Sequence, residues 1–335
     1  MASIEWPASL PQSWLLLGGE PERAPKTYLR TEMDAGPAKV RQRFSAATRY
    51  LGRKRWLMTR AQKETFDAFY RVTLGGGAQA FNFRRQDLDA TTGLTGFSSC
   101  LEFQGRGTYV LVPDHADLSP ASNTFTIEFW YRANDEEGEA GILHKTAPAN
   151  YEYAVEKAAG DNILVFRAYA LNGDNAYYGT GVIPDTGWHH WAFVCDGSDH
   201  YLYRDGVEIQ TAAKLAGSMS GGSAPLEIGR TLSYGTYGRI DDVRIWSDAR
   251  SDVEIAANYN AELVGNEAGL VAYWKFNEGS GITAADSQSS GNHDGAVINA
   301  QWVPLIEDFR IVSEPSYEAA SHELFYVDTE LEVLP

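Results

Sequence analysis

The chain has 335 residues, 28 Lys and Arg against 45 Asp and Glu, and a formal net charge of −17. So acidic a chain is repelled at long range by nucleic acid and by anionic membrane surfaces, which argues against a general binder of either. Hydrophobic residues at 44% and aromatics at 12% support packed cores over disorder, and two cysteines, Cys100 and Cys195, cannot build a disulfide framework.

The length predicts about two domains. No apolar run approaches the roughly 18–20 residues of a membrane span. The opening MASIEWPASLPQSWLLLGG has no basic region and is not expected to be a signal peptide. Charge is uneven: residues 1–92 carry a net +6, residues 93–303 a net −16 and residues 304–335 a net −7. Two ends of opposite charge flanking an acidic middle suggest that the ends pair with each other, each surface ion pair adding little.

In chain order, the first structured signal is Thr59-Arg60-Ala61-Gln62, which opens a helix with Thr59 as N-cap. Phe66, Phe69 and Tyr70 then lie on one apolar face, and Gly75-Gly76-Gly77 ends the helix. Upstream, Arg41, Arg43, Arg49, Arg53, Lys54 and Arg55 form a basic cluster in an alternating stretch. It reads as a face meeting an acidic neighbour in an oligomer, or solvent, and not as a nucleic-acid site.

The middle segment reads as strands. Phe125–Ala133 (FTIEFWYRA) alternates with period two, and ILVFRAYAL (163–171), WHHWAFVCD (188–196), LEIGR (226–230), GRIDDVRIW (238–246) and LVAYWKFNE (270–278) follow. Asp205-Gly206 between two alternating runs is a hairpin signal, because both residues tolerate positive φ. Ser251 and Glu254 have capping-box spacing for one short helix. The chain closes with DFRIVSEPSYEAASHELFYVDTELEVLP (308–335), which reads as a strand, a Pro-containing turn and a final alternating strand.

Four segments carry a resemblance: CLEFQGRGTYVLVPDHADLSPASNTFTIEFWYR, TGWHHWAFVCDGSDHYLYRDGVEI, YGRIDDVRIWSDARSDVEIAANY and LVAYWKFNEGSGITAADSQSSGNHDGAV. Over residues 100–302 they resemble, in order, the laminin-G-like, concanavalin-A-like jelly-roll family. That resemblance implies a curved antiparallel sandwich, most often a glycan- or protein-binding module. Residues 27–83, with the loop–strand–helix–Gly-turn–FNF order, resemble the phage minor tail and distal tail protein families. Arg84-Arg85-Gln86 departs from those families, which have a Pro-containing segment there.

The expected fold class is therefore all-β: a tail-tube-like β-sandwich with one short helix (1–92 plus 304–335), interrupted by an inserted jelly roll (93–303). Insertion is physically cheap, because loop-closure cost grows only logarithmically with length. A separate C-terminal strand pair would be marginal in water.

Hydrolysis needs carboxylates placed about 5–9 Å apart across the scissile bond. Asp328, Glu330 and Glu332 alternate, but Thr329, Leu331 and Val333 oppose them as a buried face, so they read as a solvated strand face. Asp241 and Asp242 are adjacent and point to opposite faces. Asp241 shares its face with Val243 and Ile245 and needs a buried partner: hydrogen-bond donors, or the calcium that the jelly-roll resemblance allows. His189 and His190 face apart and cannot share one zinc ion. The two cysteines fall on strands and read as buried thiols. No catalytic residue is expected and no cofactor is required; calcium at Asp241 is the metal that the resemblance allows.

Sugar binding needs aromatic platforms beside amide and carboxylate groups. Loop-like stretches supply Tyr151 and Tyr153; Asn172, Asp174, Asn175, Tyr177 and Tyr178; and Tyr234 and Tyr237. The other reading of these rings is cover for sandwich edges. Taken with the resemblances, the expectation is a phage tail-tip component, assembled in bacterial cytoplasm into a threefold or sixfold homo-oligomeric ring. Tail tube and hub proteins and host surface polysaccharide would be its partners, with neither nucleic acid nor membrane insertion. The competing classes are a free bacterial glycan-binding protein or glycosidase accessory module, and a purely architectural virion protein.

Overall fold

The computed structural model describes residues 4–11, 28–31, 39–42, 49–84, 97–119, 123–133, 138–147, 150–158, 163–169, 175–215, 221–311, 313–321 and 323–333. The chain is mostly β-sheet and divides into two compact units, Met1–Asp89 with Ile306–Pro335, and Ala90–Leu305. No described helix is long and apolar enough to cross a membrane.

The first unit is built on the last strand. Leu324–Val333 pairs antiparallel with Arg49–Thr59 along its whole length, from Leu324 opposite Thr59 to Val333 opposite Arg49. Its other edge takes Ser316–Ala319 and Ile306–Ile311, and the latter pairs with Phe81–Arg84. Alternation on these strands turns Trp56, Met58, Phe81, Phe83, Phe309, Ile311, Val327 and Leu331 into one apolar interior. Trp6 completes it, its ring 5.5 Å from Trp56 and 5.1 Å from Phe83.

The helix Arg60–Ala68 covers this interior. Thr59 caps it as the sequence predicts: its hydroxyl accepts from the Gln62 N–H while the Gln62 side chain accepts from the Thr59 N–H. Phe66 and Phe69 are buried, and Tyr70 is half-buried against the same cluster. Continuation as one π-helical turn, Phe69–Thr73, precedes the glycines. Gly77 is required where it stands: its φ is +88°, and a Cβ there would lie 2.5 Å from the Ile311 carbonyl.

Of the basic cluster, Arg55 finds acidic partners within the chain, which corrects the expectation for that residue; the side chains of Arg41, Arg43 and Arg49 lie outside the described residues. Arg55 grips Asp328 through Nε at 2.7 Å and Nη2 at 2.8 Å, and also reaches Glu318. Asp328 is buried by this contact, and Thr329 behind it is buried too. Asp328 is thus a structural ion-pair partner and not part of an open carboxylate row. The side chain of Glu332 lies outside the described residues.

The second unit is a sandwich of two eight-stranded antiparallel sheets. One runs, by neighbour, Asn175–Val182, Ile163–Tyr169, Asn150–Lys157, Ala140–Ala147, Leu226–Ile228, Tyr109–Val112, Gly295–Ile298 and Thr283–Ala284. The other runs Val207–Ala213, Asp199–Arg204, Trp188–Asp196, Thr124–Ala133, Tyr237–Trp246, Ser99–Gln104 and Gln301–Pro304, with Leu270–Trp274 also on Tyr237–Trp246. The facing surfaces meet through aromatic rings: Phe166 of the first sheet lies 5.2 Å from Phe193 and 6.1 Å from Phe129 of the second.

Local signals hold here as well. Asp205 and Gly206 have φ of +52° and +77°, which suits a two-residue hairpin turn. Ser251 and Glu254 form a reciprocal capping box on the helix Asp252–Asn258. Cys100 and Cys195 are buried free thiols. The connector residues 85–96 lie outside the described set.

Candidate functional site

Strand register assembles a chemically varied row on one face of the sandwich. Tyr178 stands opposite Arg167, Arg167 opposite Ala154, Ala154 opposite His144, His144 opposite Glu227, and Glu227 opposite Leu111. Directly paired residues share a face, so these six form one row on the outer face of the first sheet. At the usual strand spacing the row spans roughly 24 Å. The middle of the row is covered, with Ala154 5% and His144 1% exposed.

Each polar member is held. Arg167 pairs with Glu156 and carries its guanidinium 5.8 Å from the centre of the Tyr178 ring. Burial lowers the Arg167 pKa, but Glu156 and the nearby tyrosines outweigh it and the net shift is upward. Arg230 donates from Nε to Glu227 at 2.9 Å and lies 3.3 Å over the Tyr109 ring. His144 is buried; its Nδ1–H donates to the Arg230 carbonyl at 2.9 Å and its Nε2 lies 3.4 Å from Glu227. Burial pulls the His144 pKa down, so the ring tends to stay neutral.

The loop 229–236 closes over this face. Its backbone approaches the strand Ala140–Ala147 so tightly that a Cβ on Gly141 would sit 2.2 Å from the Thr231 nitrogen. The Gly229 N–H donates to the Ile142 carbonyl at 2.6 Å, and the Thr231 N–H to the Tyr234 carbonyl at 2.7 Å. Tyr234 is thereby presented beside Glu139, whose side chain accepts its hydroxyl hydrogen and raises its pKa; Glu156 and Arg167 act on it through space. Arg230 and Glu227 also line a cavity of about 240 Å³ with Arg106, Thr146, Pro225 and Thr231.

The structure sorts the sequence-predicted residues. Tyr178 and Tyr234 come together on this face through Arg167 and Glu156. Tyr237 is 51% exposed but belongs to the other sheet, its ring lying against Gly105. Two residues are corrected. Tyr153 is 1% exposed, has its ring 6.2 Å from that of Phe125 and donates its hydroxyl hydrogen to the Leu118 carbonyl at 3.1 Å. Tyr177 is fully buried, with its hydroxyl on the Asn123 carbonyl. Both lie on the inward phase of their strands and offer no platform. Asn172 and Asp174 lie outside the described residues, as do the side chains of Tyr151 and Asn175.

Asp241 is also placed differently. It is buried, and its Oδ1 accepts the Asp242 backbone N–H at 3.0 Å. A bulge between Asp241 and Arg244 puts Asp242 at φ +51° and breaks simple alternation, so both aspartates are buried. Among the described residues, the potential metal-ligating side chains of His115, Asp117 and His293 converge. His189 and His190 face apart as expected: His189 meets Asp205 and Asp185, and His190 lies buried 3.3 Å from Glu128.

Sequence reading missed Arg167, Glu156, His144, Glu227, Arg230 and Tyr109. Arg167 and Glu156 were visible as charged interruptions of apolar runs. The juxtaposition of the others depends on pairing between strands more than 80 residues apart.

Residues 104–256 match the family model for the concanavalin A-like lectin/glucanases superfamily. This stretch is a concanavalin A-like lectin/glucanase domain. Among solved structures, a Bacteroides ovatus protein provisionally described as carbohydrate-binding is similar at TM-score 0.50 and 18% identity, over 62% of this chain and 60% of that one. This chain therefore spans under two thirds of that protein's length, and the likeness is one of fold. A heptameric pentraxin from Limulus polyphemus (TM-score 0.38, 12% identity, 48% of this chain, 81% of that one) and the Ruminococcus gnavus sialidase CBM40 bound to sialyllactose (0.36, 16%, 47% and 98%) are more distant in structure. No curated protein sequence matches the chain.

Proposed function

We propose that the sandwich is a non-catalytic glycan-binding module whose site is the outer-face row around Tyr178, Arg167, Glu156, Tyr234, Glu227 and Arg230. The observation that carries this reading is the row itself. Two partly exposed tyrosines flank carboxylates and guanidiniums, a combination suited to C–H faces and hydroxyls together. A cavity of about 240 Å³ lies below the usual range for a drug-sized ligand, so each site is shallow and its affinity weak. Presentation on a multimer would raise the avidity.

The same reading extends to context. The protein is a phage tail-tip component whose terminal segments form the assembling part and whose jelly roll binds host surface polysaccharide. Support comes from the sequence resemblance and from the joint interior built by residues 49–84 and 306–333. A free glycan-binding protein or a purely architectural one are the alternatives.

A glycan array probed with the full chain, followed by binding to host cell-wall polysaccharide, tests the first proposal; retention on no polymer would leave only the architectural class. Light scattering of the purified chain and mass spectrometry of virions test the second. A monomer absent from particles would defeat it.

A further inference from the structure

Outside the proposed glycan row, one cluster is arranged as a ligand set. His115 and Asp117 flank and enter the single-turn helix Ala116–Leu118, and His293 arrives from a loop 176 residues further on. Asp117 Oδ1 contacts both rings: Nδ1 of His115, and Nε2 of His293 at 3.0 Å. The ligand atoms of the three residues all lie within 4.8 Å of one another. The two rings are nearly perpendicular, at 85°.

A second observation fixes what His293 offers. Its ring is buried, and Nδ1 lies 2.7 Å from Oδ2 of Asp286. That carboxylate oxygen also accepts the His293 backbone N–H at 3.2 Å, while Oδ1 accepts the N–H groups of Tyr273 and Gln288, each at 3.0 Å. Asp286 is thus held on both oxygens as an acceptor, so His293 Nδ1 must carry the hydrogen. In the neutral ring, Nε2 then presents a lone pair toward another acceptor, the Asp117 carboxylate. Two lone pairs at 3.0 Å repel, so this contact is closed either by a second proton on the ring, which then donates to both carboxylates, or by a metal cation held between them. A carboxylate behind the far nitrogen of a histidine is also the arrangement that orients metal-bound imidazoles.

We propose that His115 Nδ1, Asp117 Oδ1 and His293 Nε2 form a three-ligand site for a divalent transition metal of the zinc class, with Asp286 as its positioning residue. Two imidazole nitrogens and one carboxylate oxygen suit zinc, cobalt or nickel, whereas calcium and magnesium take oxygen sets. Three protein ligands leave a fourth position for water or a ligand oxygen. Asn292, whose amide lies 3.4 Å from His115 Nε2, can orient the outer nitrogen of the second ring. The bound ion would clip the segment around residue 117 to the loop 286–294.

The test uses the full chain stripped of metal, titrated with Co²⁺ by visible absorption and with Zn²⁺ by calorimetry. One equivalent of Co²⁺ with the intense bands of low-coordinate cobalt, displaced by Zn²⁺ and not by excess Ca²⁺, is expected. His115→Ala and Asp117→Asn change exposed side chains and should keep the native circular dichroism while weakening Zn²⁺ at least tenfold. Absence of both heat and absorption up to about 1 mM metal would overturn the site. Undiminished affinity in both variants, or displacement of cobalt by Ca²⁺, would overturn it equally.

Discussion

The guanidinium of Arg244 lies 3.2 Å from the carboxylate of Glu128, the residue directly opposite it on the neighbouring strand, and both side chains are buried. The same guanidinium meets Asp242 and donates to the carbonyls of Asn258 and Ala261 at 3.0 and 2.7 Å. Burial works against the charge on Glu128, but His190 and Arg244 outweigh it and hold the carboxyl below the ordinary Glu range. One guanidinium therefore bridges Glu128 and Asp242, whose own carboxyl is pushed up by burial, and ties the strand Tyr237–Trp246 to the end of the helix Asp252–Asn258. Arg244→Met is expected to cost about 3–5 kcal/mol, because it strands two buried carboxyl groups. Arg244→Lys should recover only part of this, since an ammonium cannot reach all four partners at once. Urea denaturation of the three proteins measures both, and a loss under 1 kcal/mol for the Met variant would contradict this account.

His189 gives a pH dependence of known sign. Burial lowers its pKa, but hydrogen bonds and charge from Asp205 and Asp185 outweigh it, so the folded value lies above the ordinary histidine value of 6.5. Arg204, whose Nε lies 4.0 Å from Asp205, is the opposing cation nearby. A raised folded pKa adds stability that is fully present below the unfolded value and is lost as pH rises through the folded one. His189→Gln is expected to reduce stability more at about pH 5.5 than at about pH 8. Denaturation midpoints for both proteins at the two pH values read this directly; equal differences would refute it.

Gly77 tests the joint interior of the terminal segments. With φ at +88° and the Ile311 carbonyl where a Cβ would go, Gly77→Val must push the segment Ile306–Ile311 away. A loss of about 1–3 kcal/mol is expected, together with faster proteolysis within residues 49–84. Gly76→Ala has open space around its Cβ, though its φ is also positive, and should be milder. Equal losses for the two would show that backbone conformation, and not the approach to Ile311, sets the requirement.

The glycan site separates surface tyrosines from interior ones. On any polysaccharide that retains the chain, Tyr178→Ala and Tyr234→Ala should each weaken binding by about 1 kcal/mol, near fivefold in Kd. Tyr153→Phe should leave binding unchanged and cost about 1 kcal/mol of stability through its lost bond to the Leu118 carbonyl. Calorimetry paired with thermal melts distinguishes these effects. Binding lost in Tyr153→Phe but kept in Tyr178→Ala would move the site elsewhere.

Features governed by neighbouring residues could be read directly from the sequence. The capping pairs Thr59–Gln62 and Ser251–Glu254 each act within one helical turn. The positive φ at Asp205 and Gly206 likewise follows from the chemistry of two adjacent residues. Period-two alternation revealed the strands, and the order of motifs revealed the concanavalin A-like sandwich, because both are repeated many times along the chain.

Inward and outward tyrosines could not be told apart by composition. Tyr177 and Tyr178 are adjacent and chemically identical, yet one is buried and the other 37% exposed, a choice made by the register with Ala168 and Arg167. The bulge at Asp241–Arg244 shifted a phase that strict alternation would have kept. The row from Tyr178 to Leu111 and the convergence of His115 on His293 join residues distant in sequence. Sequence alone determined the all-β class, the turns and the caps, because those energies are local. Tertiary structure alone decided which side chains meet, because strand pairing and burial are set by the whole folded chain.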